Sequence, residues 1–100
     1  MTIKVILNPY SNRWNAQKRW GEAEIALRDA GVKFDLSVSE HPDHIVDLAA
    51  AAVSKGFSTI VVAGGDGSIG EAVNGAAKEW DEKSPFPVTV GFLPLGSAND

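Results

Sequence analysis

The residues with the clearest chemical potential form one short run, Ala63-Gly64-Gly65-Asp66-Gly67-Ser68-Ile69-Gly70-Glu71. It lies between a continuously apolar segment and a segment with helical spacing. Glycines let the backbone approach a ligand closely, and a helix N-terminus offers free amide groups and the positive end of a dipole. Together these features make a phosphate-binding site. The Ser68 hydroxyl can cap the helix or meet the phosphate, and the two roles are compatible. Gly65 to Gly70 also fits the dinucleotide pattern G-x-G-x-x-G. That pattern needs an acidic residue at a strand end about 20 residues on. Pro85-Phe86-Pro87-Val88 occupies that region and holds none. No glycine is followed by Lys-Ser or Lys-Thr at P-loop spacing. His41 and His44 lack a third ligand nearby, so surface or cap roles outweigh a metal role.

The elements that position this loop alternate in type. Ile3 to Leu7 is an apolar run stopped by Asn8-Pro9. Ala16, Trp20, Ala23, Leu27 and Ala30 mark one helical face, ended by Gly31. Phe34, Leu36 and Val38 alternate with polar residues. A second helix follows Pro42-Asp43, turns Ile45, Ala49, Ala52 and Val53 inward, and stops at Gly56. Thr59 to Ala63 reads as a central strand. Ile69, Ala72, Val73, Ala76, Ala77 and Trp80 form a helical stripe, so Trp80, like Trp20, is expected in the core. Val88 to Leu93 is the fourth strand. The alternation predicts an α/β fold: a three-layer, doubly wound, Rossmann-like parallel sheet of about four strands with right-handed crossovers.

The composition is that of a soluble globular chain. The protein has 100 residues, 44% hydrophobic and 22% charged, enough for one domain with a small core. There is no cysteine, which excludes disulfides and thiolate metal sites and fits a cytoplasmic protein. The net charge of −4 argues against a nucleic-acid partner. The apolar runs are too short for a transmembrane segment.

Four segments in order resemble the diacylglycerol kinase catalytic domain family, whose fold is related to that of phosphofructokinase and NAD kinase. Gly64-Gly65-Asp66-Gly67-Ser68 resembles the family's Gly-Gly-Asp-Gly-Ser/Thr, and Glu71-Ala72-Val73-Asn74-Gly75 its continuation, Glu-x-Val-Asn-Gly. Pro94-Leu95-Gly96-Ser97-Ala98-Asn99-Asp100 is similar to Pro-Leu-Gly-Thr-x-Asn-Asp. Asn8-Pro9-Tyr10-Ser11 resembles Asn-Pro-x-Ser-Gly, with Asn12 at the glycine. Ser39 with Pro42-Asp43-His44 resembles Thr…Pro-Gly-His. Gly70 stands where the family usually has Asn.

The resemblance implies an ATP-dependent lipid kinase that moves the γ-phosphoryl of ATP to a free hydroxyl of a lipid acceptor, such as diacylglycerol or a sphingoid base. Gly64, Gly65 and Gly67 would admit the phosphates. Asn8 and Ser11 would hydrogen-bond phosphate oxygens, with Pro9 and Asn12 shaping their loop. Ser39, Ser68 and Ser97 would line the nucleotide site. Asp66, the one carboxylate of the loop, would carry the catalytic role by facing Mg²⁺, directly or through water, or else would stabilise the turn. Glu71 would orient a ligand hydroxyl or complement the helix dipole. By the same resemblance, residues 1–100 are the N-terminal lobe of a catalytic domain truncated at its C-terminus, and the catalytic base belongs to the missing C-terminal lobe. A non-catalytic nucleotide-binding module and an NAD-binding module are the alternatives. The strand order 2-1-3-4 is expected, since it gathers the Asn8, Asp66 and Ser97 loops. Three helices cannot cover two sheet faces fully, so Val88, Val90 and Phe92 are expected to leave an apolar patch at strand four through which the chain self-associates.

Overall fold

β-Branched and apolar residues form the strands, and glycines end the first two helices. In a computed structural model, residues 2–9, 15–41 and 43–95 are described, and of residues 15–17 and 66 only the backbone. The order is β1 (Thr2–Leu7), α1 (Asn15–Asp29), β2 (Lys33–Val38), α2 (His44–Ser54), β3 (Thr59–Gly64), α3 (Asp66–Ala76) and β4 (Thr89–Pro94). The four strands form one parallel sheet in the order β2-β1-β3-β4, as the shared-site argument requires. Gly31 and Gly56 adopt φ of 78° and 92°. At α2, Gly56 N–H bonds the Val53 carbonyl and Phe57 N–H the Ala52 carbonyl, a Schellman closure that only glycine adopts without strain. Gly31 and Val32 close α1 on Arg28 and Leu27 in the same way.

Each face of the sheet has its own core. Ile6, Ile60, Val62 and Val88 pack with Ile45, Ala49 and Ala52 of α2 and Ala72 and Ala76 of α3. On the other face Val5, Leu7 and Ala63 pack with Trp20 of α1 and with Leu95. Trp20 is buried, its ring edge-on to Phe34 at 5.8 Å between centroids. Trp80 is not in the core. Helix α3 ends at Ala76, and turns after it carry Trp80 to a position 37% exposed, edge-on to Phe86, with its Nε1–H donating to the Ser84 carbonyl at 3.0 Å. The apolar stripe of α3 is also only partly buried: Ala72 and Ala76 face the sheet, and Val73 is 39% exposed. Lys4 lies buried on the central strand, opposite Asp35 in register, and its Nζ meets that carboxylate at 3.2 Å.

Gly75 explains how α2 and α3 fit together. A Cβ there would lie 2.1 Å from the Val46 carbonyl oxygen and 2.9 Å from the Ala49 Cβ. The two helices approach so closely that one residue of α3 must have no side chain.

Candidate functional site

All the loops that carry the predicted residues leave the carboxyl ends of the strands, the edge where open α/β sheets bind ligands. The pairing continues one residue past the strands and aligns the loops. Ser39 N–H bonds the Leu7 carbonyl at 2.9 Å, Asn8 N–H the Ala63 carbonyl at 2.8 Å, and Leu95 N–H the Gly64 carbonyl at 3.0 Å. Ser39, Asn8, Gly64 and Leu95 thus stand side by side along one edge. Pro9 and Ser39 are buried there.

The β1 loop and the glycine loop are tied directly. Asn8 Nδ2 donates to Ser68 Oγ at 3.0 Å, across 60 positions of sequence. Ser68 is 2% exposed. It does not cap α3. The N-cap is Gly65, at φ −96° and ψ 177°. Ser68 instead sits within the first turn and anchors it to β1. The β3–α3 connection is a single residue, so the first amides of α3 project at the strand ends.

The glycines of α3 divide into two kinds. Gly75 is demanded by α2. Gly67 and Gly70 are not: a Cβ at either would meet nothing within 4 Å, and neither has a left-handed backbone. A glycine inside a helix costs about 1 kcal/mol relative to alanine. Packing gives no return for that cost at Gly67, which stands exposed in the first turn. The missing side chain leaves room there for a ligand to approach the backbone.

Glu71 lies one turn before Gly75, on the flank of α3 that meets α2. Its Oε1 is buried and has no hydrogen-bond partner among the described residues. A donor from a ligand hydroxyl or from water would satisfy it. The loop after β2 is held differently. His41 and His44 stack at 4.5 Å, 16° from parallel, and His44 Nδ1 accepts the Glu40 N–H at 2.9 Å. His44 therefore closes this loop. No cluster of three metal-ligating side chains occurs among the described residues. Asp43, at the position of the family's glycine, takes φ 68° and caps α2 without a side-chain bond.

Ser11, Asn12 and Ser97 lie outside the described residues, as does the Asp66 side chain. Sequence reasoning read Gly75 as part of a loop motif and missed its packing role; a glycine inside an apolar helical stripe was the available signal. A cleft of about 610 Å³ between the C-terminal ends of α2 and α3 and the turn before β4 lies at the opposite edge of the sheet, away from these loops.

The diacylglycerol kinase catalytic domain matches residues 2–100. The chain belongs to that family. It is 26% identical over 97 residues to Sphingosine kinase B of Dictyostelium discoideum, covering 97% of this chain and 13% of that protein. It is 35% identical over 97 residues to the "Probable lipid kinase YegS-like" of Xanthomonas oryzae pv. oryzae, covering 97% and 30%. A crystal structure of a diacylglycerol kinase from Bacillus anthracis str. Sterne shares the fold with a TM-score of 0.71 at 22% identity, covering 99% of this chain and 34% of that one. The chain spans about a third or less of the length of these relatives. Among the described residues no helix is long and apolar enough to cross a membrane.

Proposed function

We propose that this chain is the nucleotide-binding part of an ATP-dependent lipid kinase, binding ATP with Mg²⁺ at the strand ends for phosphoryl transfer to a lipid hydroxyl of the diacylglycerol or sphingoid type. The observation that carries this reading is Gly67, a helical glycine that the fold does not require, in the first turn of α3 beside the Asn8–Ser68 bond. Family membership supplies the lipid-kinase chemistry.

The roles are those the family resemblance implies, and the placement of the described residues supports them. The first-turn amides of α3 meet phosphate oxygens, and Gly64, Gly65 and Gly67 leave them room. The Asn8–Ser68 bond fixes the start of the β1 loop against that turn, which sets Asn8 and Pro9 beside the phosphates, and the resemblance adds Ser11 and Asn12 to the same phosphate-binding set. Ser39 and Ser97 line the nucleotide site. Glu71 Oε1 accepts a ligand hydroxyl. Mg²⁺ would be held by Asp66 and would supply positive charge against the phosphates, since Arg13 is the one lysine or arginine close in sequence to these loops. In the transfer the lipid oxygen bonds to the γ-phosphorus, the bond to the β-phosphate oxygen breaks, and the hydroxyl proton passes to a base outside residues 1–100.

Calorimetry with ATP·Mg and with NAD tests the reading. Weak, Mg-dependent ATP binding is expected, lost in Gly67→Val and reduced in Asp66→Ala while the circular dichroism spectrum stays unchanged. Tighter binding of NAD would replace the kinase reading with a dinucleotide module. Phosphoryl transfer by the 100-residue chain alone should be negligible, and robust Asp66-dependent lipid phosphorylation would refute the assignment of the base elsewhere.

A further inference from the structure

The apolar patch expected at β4 is smaller than the strand's sequence suggests: Val88, just before it, is 8% exposed, and no β4 residue is among the exposed large hydrophobics. The opposite end of the strand order carries more chemistry. After β2 the chain turns through residues 39–43 into α2, and Ser39, which the nucleotide reading sets in the site, opens that turn. Ser39 is 2% exposed, and its N–H bonds the Leu7 carbonyl. The next amide goes to a side chain: Glu40 N–H donates to His44 Nδ1 at 2.9 Å. His44 N–H in turn donates to the His41 carbonyl at 3.2 Å, and the two imidazoles stack at 4.5 Å. One histidine therefore closes the turn through both its backbone and its ring.

An imidazole nitrogen that accepts a hydrogen bond carries a lone pair, so the neutral His44 ring holds its proton on Nε2. A second proton must then go to Nδ1, the accepting atom itself. It sets an N–H against the Glu40 N–H, and the contact becomes donor against donor. Two further effects act in the same direction. His44 is the first residue of α2, where the helix dipole disfavours a cation. A charge on His41 as well would set two cations ring to ring. The other charged groups around the pair are Glu40 and Asp43 in the turn, Asp47 one turn along α2 with Lys78 at 4.0 Å from it, and Glu71 on the flank of α3 that meets α2. The strand ends beside the turn, Leu7 to Pro9 and Ser37 to Ser39, carry none. The carboxylates favour a charged ring, but they do not replace the acceptor that Glu40 N–H loses.

We propose that His44 is a pH-sensitive positioning residue of the nucleotide site. Neutral, its ring holds the β2–α2 turn closed and Ser39 in place; protonated, it releases the Glu40 amide and the turn opens. The effect on ATP rests on the nucleotide reading above, whereas the opening does not. Histidine is the side chain whose ordinary charge change falls between about pH 5 and pH 8, so the device works in the physiological range. One hydrogen bond of this kind changes the population of the closed turn, and the apparent affinity of a ligand that needs it closed, about threefold to tenfold.

NMR of the Glu40 amide, beside calorimetry with ATP·Mg, tests the proposal between about pH 7.5 and about pH 5.5. The reference is His44→Asn, whose Oδ1 stands at the same reach as Nδ1, accepts the same bond and does not titrate. The terminal phosphate of ATP also titrates in this range, but it does so equally for both proteins. On acidification the Glu40 amide should lose protection in the unaltered chain and keep it in His44→Asn. ATP·Mg affinity should fall about threefold to tenfold further in the unaltered chain than in His44→Asn. At the upper pH, His44→Ala should weaken binding by a similar factor, and His44→Asn should restore it. A Glu40 amide indifferent to pH would overturn the proposal. So would an amide that opens while the two affinities stay in constant ratio, or an affinity that rises on acidification in the unaltered chain alone, which would make the imidazolium a phosphate ligand. Absence of ATP binding at every pH would remove the nucleotide reading and with it the positioning role, while the Glu40 amide would still decide whether the turn opens.

Discussion

The two faces of the sheet are closed by opposite means. On one, α1 lays a single large ring, Trp20, over Val5, Leu7 and Ala63. On the other, α2 and α3 pack on each other and on the sheet through small residues, Ala49, Ala52, Ala72, Ala76 and Gly75. The first arrangement depends on apolar area, the second on close fit. They also differ in what they hold. The described part of α1 carries none of the candidate site residues, whereas α3 begins with the glycine loop and is bonded to β1 through Ser68. Stability and site geometry should therefore separate between the faces.

Trp20→Ala should give the largest loss of stability, about 3–5 kcal/mol by urea unfolding, since it removes a buried aromatic and leaves a cavity. ATP·Mg affinity of the fraction that stays folded should change little. A large loss of affinity at native ellipticity would show that the faces are coupled. Gly75→Ala should cost less, about 1–3 kcal/mol, because the added methyl group must push apart two backbones. Its effect on the site should be greater, because moving α3 shifts its first turn relative to Asn8; titration of ATP·Mg against the unfolding midpoint reads both. Unchanged affinity in that variant would break the proposed link between the helix pair and the phosphate loop. The smallest effect is expected at the loop after β2. Asp43→Gly should stabilise by a few tenths to about 1 kcal/mol, as relief from the left-handed region at φ 68° is partly offset by the freedom of glycine in the unfolded chain.

Much of the architecture was legible because local signals agreed with one another. Periodicity, the glycines at 31 and 56 and the apolar run before the glycine loop all pointed to βα units, and the need to gather the loops selected the strand order. Features that depend on long-range fit were not legible. Trp80 has the spacing of a core residue, but helical spacing does not show that the helix stops at Ala76. Ser68 is a plausible cap by type, yet its partner is a side chain 60 positions away. Asp43 is an ordinary turn residue by type; the resemblance set a glycine at its position, and the backbone angle of 68° supplies the physical reason.

The strand order also sets a timetable for synthesis. β1 is made first but is an inner strand, paired with β2 from Thr2↔Lys33 to Leu7↔Val38 and with β3 from Lys4↔Ile60 to Leu7↔Ala63. At roughly 5–20 residues per second, its β3 side waits some 3–11 s after Leu7 is made for Ala63 to be added. The β1–α1–β2 unit can dock during that interval, because α1 brings its own cover for Val5 and Leu7. Ile6, which faces the α2 and α3 side, has to wait. A nascent chain stalled before Ala63 would therefore present one finished face and one greasy one, the kind of surface that holdase chaperones recognise.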